Sequence, residues 1–306
     1  MTSVLSQAGA ASQIRSGNRL FRTDYLKPVV KEFLMVIKRP LSHSLKHKIL
    51  RRHNPQYDRW LKSSQKNVAL LPIPKNANTW LTSIFLVNHA PSSGFDPMHE
   101  TPSSFLRKQP SMSPRVSSFN EIMEDATQKL IVLRDPKKRL VSGFYDKLVK
   151  KHQKNPKYSE EVAAEAEKET GSITFLDFLS FLSKVPKYRL NFHFLPQYFW
   201  VDYYGEDFFN KIGTLEDIED IEAYLKNEGF DISLGGATNL HSGIQKKTNY
   251  ASEVIDCTKA TIEDLSRLTY PPHYLSFFGE SECRLFEAMY QRDVEIHKKY
   301  FCPEST

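Results

Sequence analysis

Leu70-Leu71-Pro72-Ile73-Pro74-Lys75-Asn76-Ala77-Asn78-Thr79-Trp80 is the stretch on which the reading of this chain turns. It begins as the tail of a short, continuously apolar run, Asn67 to Ile73, closed by Pro74. Shortness and unbroken apolarity predict a buried strand rather than a helix. From Thr79 to Asn88 the apolar residues Trp80, Leu81, Ile84, Phe85 and Val87 predict a helix ending before Pro91. Between the two lies a tight loop of small polar residues. A strand that runs through such a loop into a helix aims backbone N–H groups and the positive helix end at one spot, which suits a phosphate. Lys75 adds a mobile cation and Thr79 a hydroxyl. The triphosphate-binding pattern G-x-x-x-x-G-K-[ST] is absent, because this loop has no glycine and its lysine comes first. Taken alone, the stretch reads equally as a plain strand-to-helix turn with Lys75 exposed.

The architecture recurs downstream. Leu130 to Leu133 is a second apolar run, broken by Arg134-Asp135-Pro136, and Lys138 to His152 is helical, with Leu140, Val141, Phe144, Tyr145 and Leu148 on one face. Arg134 therefore stands at the carboxyl end of a buried strand, where open α/β sheets bind ligands. Ser142 lies eight residues on, two turns along the helix. A planar cationic fork and a hydroxyl together suit a terminal phosphate monoester. The plainer reading is an ion pair of Arg134 or Arg139 with Asp135. Two anion sites at two strand ends are less expected by chance than one.

The remaining chain predicts further elements: short helices over Asn120–Gln128 and Glu160–Lys168, and a helix over Ile173–Ser183 capped by Ser172. Short strands are predicted over Phe199–Tyr203 and Lys211–Gly213, followed by a helix capped by Thr214 and closed by Gly229. Residues 231–280 read as irregular, and Ser281–Tyr300 as a terminal helix. Strands alternating with helices indicate an α/β domain around a parallel sheet.

Composition agrees with a globular chain of 306 residues: 40% hydrophobic, 12% aromatic and 25% charged, with 12 Gly and 17 Pro, which excludes disordered and collagen-like classes. Cys257, Cys283 and Cys302 fit no zinc pattern and cannot all pair, so a reducing compartment and no metal are expected. Charge is uneven. Residues 1–62 hold 13 Lys and Arg against Asp24, Glu32 and Asp58, a surplus of +10 in a chain of net charge +6. Residues 63–306 are therefore slightly acidic. The division expected is a basic, partly helical extension over 1–62 and a single domain over 63–306. Either the extension is a solvated arm, or residues 15–62 touch an acidic membrane surface. No run of 18 apolar residues and no apolar core within Met1 to Ser16 is present, so a cytoplasmic chain is expected.

A PK-x-[AG]-x-T loop after one strand and RDP-x-x-RLVS after another resemble the sulfotransferases that use 3′-phosphoadenosine 5′-phosphosulfate (PAPS), and in particular their carbohydrate branch of chondroitin and HNK-1 type. Asn191-Phe192-His193-Phe194-Leu195-Pro196-Gln197 is similar to that branch's N-x-H-W-x-P-Q, with Phe194 in place of Trp. Lys211 to Glu216 loosely matches its I-G-x-x-E stretch, and Tyr290-Gln291-Arg292-Asp293 its closing Y-x-x-D. The resemblance spans roughly residues 68–301. It implies a P-loop-like sulfotransferase fold, a central parallel sheet flanked by helices. Lys75, Asn76, Ala77, Asn78, Thr79 and Trp80 would cradle the 5′-phosphosulfate, with Lys75 at the leaving oxygen. Arg134 and Ser142 would hold the 3′-phosphate, leaving adenosine 3′,5′-bisphosphate as product. Lys246 and Lys247, in a Gly-flanked loop, are further candidates to close over the donor.

Displacement at sulfur places charge on the leaving phosphate, which a lysine and backbone N–H groups stabilise without a metal. The acceptor hydroxyl, on a carbohydrate or glycolipid, needs a base. Glu100 and His99 come first as candidates and His193 second; no nucleic acid partner is expected. The alternatives are a phosphoryl-transfer enzyme, such as a nucleotide or small-molecule kinase, and a non-catalytic anion-binding scaffold. The first would need a glycine-rich loop and a magnesium carboxylate, and the chain shows neither.

Overall fold

A computed structural model describes residues 60–97, 99–115, 120–123, 126–151, 156–187, 190–233 and 256–301. The basic extension up to residue 59, and Lys246 and Lys247, lie outside the described residues. In chain order the strands are β1 (Leu61–Lys62), β2 (Val68–Leu71), β3 (Gln128–Leu133) and β4 (Lys211–Thr214). The helices are α1 (Asn78–His89), α2 (Pro102–Lys108), α3 (Asn120–Met123), α4 (Pro136–Phe144), α5 (Lys157–Ala166), α6 (Phe175–Lys184), α7 (Tyr198–Tyr204), α8 (Ile218–Asn227), α9 (Ile262–Ser266) and α10 (Glu280–Phe301). Among the described residues no helix is long and apolar enough to cross a membrane.

The four strands form one sheet in the order β1-β2-β3-β4, with β2, β3 and β4 parallel and β1 antiparallel at the edge. Pairing of Leu71 with Ile131 and of Leu133 with Thr214 brings the carboxyl ends of the parallel strands to one side of the molecule. Each central strand is buried on both faces, which is why β2 and β3 are apolar without alternation. Ala69, Leu71, Ile131 and Leu133 face a core built with α4, α6, α7 and α10. Val68, Leu70, Leu130 and Val132 face Trp80, Leu81, Ile84 and Phe85 of α1 and Ile221 and Leu225 of α8. The result is a helix–sheet–helix sandwich.

Several boundaries differ from the sequence reading. Trp60 to Lys62, counted with the basic extension, belong to the body: Trp60 is buried against Tyr204 and Phe209, and Leu61 pairs with Leu70. The stretch Phe199–Tyr203 is helical within α7 rather than a strand. Its first N–H groups are capped from far away, since Asp293 accepts from Gln197 N at 2.8 Å and Tyr198 N at 2.6 Å. Thr174, not Ser172, caps α6, in a reciprocal box with Asp177. Asp217, not Thr214, caps α8, because Thr214 is the last residue of β4. The helix expected over Asn120–Gln128 stops at Met123, and β3 begins at Gln128. Within the stretch expected to be irregular, Thr261 caps α9. Helix α4 starts at Pro136, capped by Asp135, and passes into a wider turn over Tyr145–Val149.

Gly143 marks where α4 meets the segment that carries His193. A Cβ there would sit 2.7 Å from the ring of Phe194 and 3.5 Å from His193 O. Phe194 has no room to retreat, being buried against Tyr158 and Phe178. Gly143→Ala is expected to destabilise the fold by about 1–3 kcal/mol, read as a lower urea midpoint. An unchanged midpoint would show that the Phe194 segment shifts freely.

Candidate active site

The site is built at the carboxyl ends of β2 and β3, where the chain leaves the sheet and enters α1 and α4. Two residues of the first loop hold left-handed backbone conformations without being glycine: Lys75 with φ 73° and Ala77 with φ 54°. Such conformations cost roughly 1–3 kcal/mol each and persist only when surrounding contacts enforce them. Enforcement is visible. Asn76 is buried (1% exposed) and its Nδ2 donates to Val132 O at 2.8 Å and to Gln197 Oε1 at 2.6 Å. Arg134 Nη1 donates to Lys75 O at 2.8 Å, and Arg139 Nε donates to Pro74 O at 3.1 Å.

Helix α1 begins directly after the left-handed Ala77. Ala77 is its N-cap, no side chain caps it and no acidic residue lies in its first turn. By contrast, Asp135, Thr174, Asp217 and Thr261 cap their own helices. The amino end of α1 thus keeps its positive potential and N–H donors for an outside anion. Thr79 is exposed beside it, and Asn78 Oδ1 is buried without a hydrogen-bond partner. The Trp80 side chain packs into the α1 core, so only its backbone can serve such an anion.

The Lys75 ammonium is half-buried and meets Asp146 Oδ2 at 2.7 Å. Burial lowers its pKa, and Asp146 partly restores it. Burial would raise the Asp146 carboxyl, but the hydrogen bond and charge of Lys75, with Lys147 behind them, bring it down to about 2. Lys147 lies 3.3 Å and Lys151 3.9 Å from the same carboxylate. Asp146 was not legible as a site residue. It sits one turn beyond Ser142, in the wide turn that follows α4.

His193 joins this cluster. Burial first, then the charges of Lys147 and Lys75, push its pKa down to about 3. Asn191 Oδ1 accepts from His193 N at 3.0 Å, which identifies that atom as the oxygen. The same oxygen lies 2.7 Å from His193 Nδ1. Nδ1 therefore carries the proton and Nε2 keeps its lone pair, so the ring is a neutral acceptor at physiological pH. His99 and Glu100 are placed differently. His99 is 83% exposed and bonded to Asp96, and Glu100 pairs with Lys108 at 3.1 Å.

At the second loop, Asp135 caps α4 through Lys138 N at 2.9 Å, and the Arg134 guanidinium reaches across to the first loop. Ser142 is half-buried on α4. Arg139, 1% exposed, donates to Pro74 O, Leu195 O and Phe192 O and has no anion-binding face. The structure thus brings Lys75, Arg134 and His193 to one side of the sheet. Chemically, the arrangement can hold a ligand with two separated phosphate-sized charges beside one neutral base.

A model described as the sulfotransferase family matches residues 58–276, a stretch that includes both loops and His193. The chain is similar to carbohydrate sulfotransferase 10 of Xenopus laevis, 27% identical over 259 residues, covering 76% of this chain and 69% of the relative. Against carbohydrate sulfotransferase 10 of Homo sapiens it is 30% identical over 195 residues, covering 57% of this chain and 53% of the relative. Against that of Gallus gallus the values are 29% over 231 residues, 69% and 61%. The chain therefore spans between about half and two thirds of these relatives. No solved structure matches it.

His193 carries a checkable sign. Its folded pKa of about 3 lies below the ordinary value of 6.5, so in that window the unfolded chain binds the extra proton. Its contribution to stability is present above pH 6.5 and is lost as pH falls toward 3. His193→Gln is expected to flatten the difference in unfolding free energy between about pH 6.5 and 4, measured by denaturant titration at each pH. An identical slope in both proteins would refute the buried, neutral imidazole.

Proposed function

The chain belongs to the sulfotransferase family, and from that premise we propose that it transfers a sulfuryl group from PAPS to a hydroxyl of a carbohydrate or glycolipid acceptor. The observation that carries this reading is the pairing of two strand ends whose groups suit anions. An uncapped helix start with Lys75 follows β2, Arg134 follows β3, and the Arg134 guanidinium is bonded to Lys75 O. When bound, PAPS supplies a sulfuryl group carried on a phosphate leaving group.

The roles of the protein's own groups follow from their surroundings. The amino end of α1, with Lys75 and Thr79, would hold the 5′-phosphosulfate; Arg134 and Ser142 would hold the 3′-phosphate. Lys75 is kept charged by Asp146 and is the cation available to the oxygen on which charge builds. His193 is the base we favour over Glu100 and His99. It shares the cluster of Lys75 and Asp146, its Nε2 is an acceptor, and its other nitrogen is fixed by Asn191. Asp146, which raises the His193 pKa, would offset the charge of the imidazolium once the acceptor proton has moved to Nε2. The carbohydrate acceptor is inferred from the names of the relatives.

Calorimetric titration with adenosine 3′,5′-bisphosphate, beside ATP with magnesium, tests the donor. The bisphosphate is expected to bind in preference. Lys75→Ala or Arg134→Ala should each weaken it about 10- to 100-fold, the loss of one charge-assisted hydrogen bond. Preference for ATP, or no binding, would overturn the reading. For the base, His193→Ala should lower kcat about 10²–10⁴-fold while bisphosphate affinity changes less than about threefold. Loss of affinity with unchanged kcat would assign His193 to binding instead.

A further inference from the structure

Gln197 belongs to neither anion-binding loop, yet its side chain is bonded to both. It is 2% exposed. Its Oε1 accepts from Asn76 Nδ2 at 2.6 Å and from Arg134 N at 3.0 Å, and its Nε2 donates to Arg134 O at 2.7 Å. One carboxamide thus pairs both backbone groups of Arg134, as a neighbouring strand would, just where β3 has ended at Leu133. The same oxygen holds the residue between the two strained positions of the first loop, Lys75 and Ala77.

The amide is itself held rigidly. Gln197 N donates to Asp293 Oδ2, and Asp293 Oδ1 takes the next N–H, so the carboxylate of α10 caps the start of α7. Immediately upstream, Arg139 holds Phe192 O and Leu195 O, and Tyr290 OH donates to Phe194 O at 2.5 Å. Apart from Gln197, the bonds that join the two loops include Arg134 Nη1 on Lys75 O, Asn76 Nδ2 on Val132 O and, from within α4, Arg139 Nε on Pro74 O. The first of these uses the guanidinium that must also serve an incoming phosphate.

We propose that Gln197 is a positioning residue for the nucleotide donor: its amide fixes the spacing between the loop after β2 and the loop after β3. The 3′-phosphate held at Arg134 then aligns the 5′ end on the Lys75 loop. This deepens the donor reading above and rests on it. A residue serving stability alone would affect every nucleotide equally; a spacer between two phosphate sites changes what the second phosphate adds.

The test compares affinities for adenosine 3′,5′-bisphosphate and adenosine 5′-monophosphate by calorimetry, with melting curves alongside. In the wild-type chain the 3′-phosphate should strengthen binding at least about tenfold, one charge-assisted hydrogen bond. Gln197→Met keeps the volume and removes all three bonds. It is expected to reduce that gain by roughly 3- to 10-fold, as for about one hydrogen bond, and to weaken monophosphate binding much less. Asn76→Ala cuts the contact of Gln197 with the first loop, together with the bond to Val132 O, while leaving Arg134 paired with Gln197; it should also reduce the gain, which keeps the test open if the methionine variant does not fold. A folded variant in which both nucleotides weaken by the same factor, or neither does, would overturn the proposal and leave the donor reading standing. A wild-type chain that binds no bisphosphate would overturn both.

Discussion

A guanidinium that is almost wholly excluded from water needs its protons taken up by protein, because an unpaired buried charge costs about 3–5 kcal/mol. Arg139 meets that demand with three carbonyls, of Pro74, Phe192 and Leu195. These carbonyls come from the two segments that the site needs side by side. Pro74 introduces the Lys75 loop, and Phe192 to Leu195 carry His193. The buried cation thereby sets the distance between the residue proposed to stabilise the leaving group and the base. Asp293 acts at the other end of the same segment. Burial pushes its pKa up to about 6 despite the N–H groups of Tyr198 and Gln197 and the charge of Arg139. Both charges lie beneath the site, where they position other groups.

Above them the first loop keeps a conformation that its residues would not choose. Lys75 and Ala77 adopt positive φ at a cost glycine would avoid. Their side chains are of use there: lysine supplies a charge at the strand end, and alanine leaves the helix start open. The strain is offset by hydrogen bonds from Asn76, Arg134 and Arg139, each joining the loop after β2 to β3 or to the segment that follows it. Glu216 adds a similar link at β4, accepting from Asp135 N at 3.1 Å and lying 2.9 Å from His297 Nε2. The carboxyl edge of the sheet is thus laced across three strands.

Much of this was legible in the residues. The runs Val68–Leu71 and Leu130–Leu133 are too short and too apolar to be anything but buried strands, and Lys75 and Arg134 follow them at the predicted places. The P-Q and Y-x-x-D stretches marked Gln197 and Asp293, though not what they do: both bond residues 63 to 121 positions away in the chain, and no local pattern records a partner so distant. Asp146 had no local signal either, being one acid among lysines. The residues alone placed His99 ahead of His193, because what separates the two is burial, which no local pattern records. One is enclosed beside four charged groups, and the other stands in solvent with Asp96.

Local chemistry by itself determined the elements that need no outside help: apolar strands, the helix of α1, the apolar face of α4, and the type of group placed at each strand end. Tertiary structure decided what depends on contacts across the chain. A stretch that looked like a strand became α7 because Asp293 caps it. Residues 60–62 left the basic extension for the sheet because β2 had an open edge and Trp60 an aromatic pocket. Lys75 acquired Asp146 because α4 opens into a wider turn. Propensity acts over a few residues, whereas burial and the pairing of buried charge are settled only when distant segments meet.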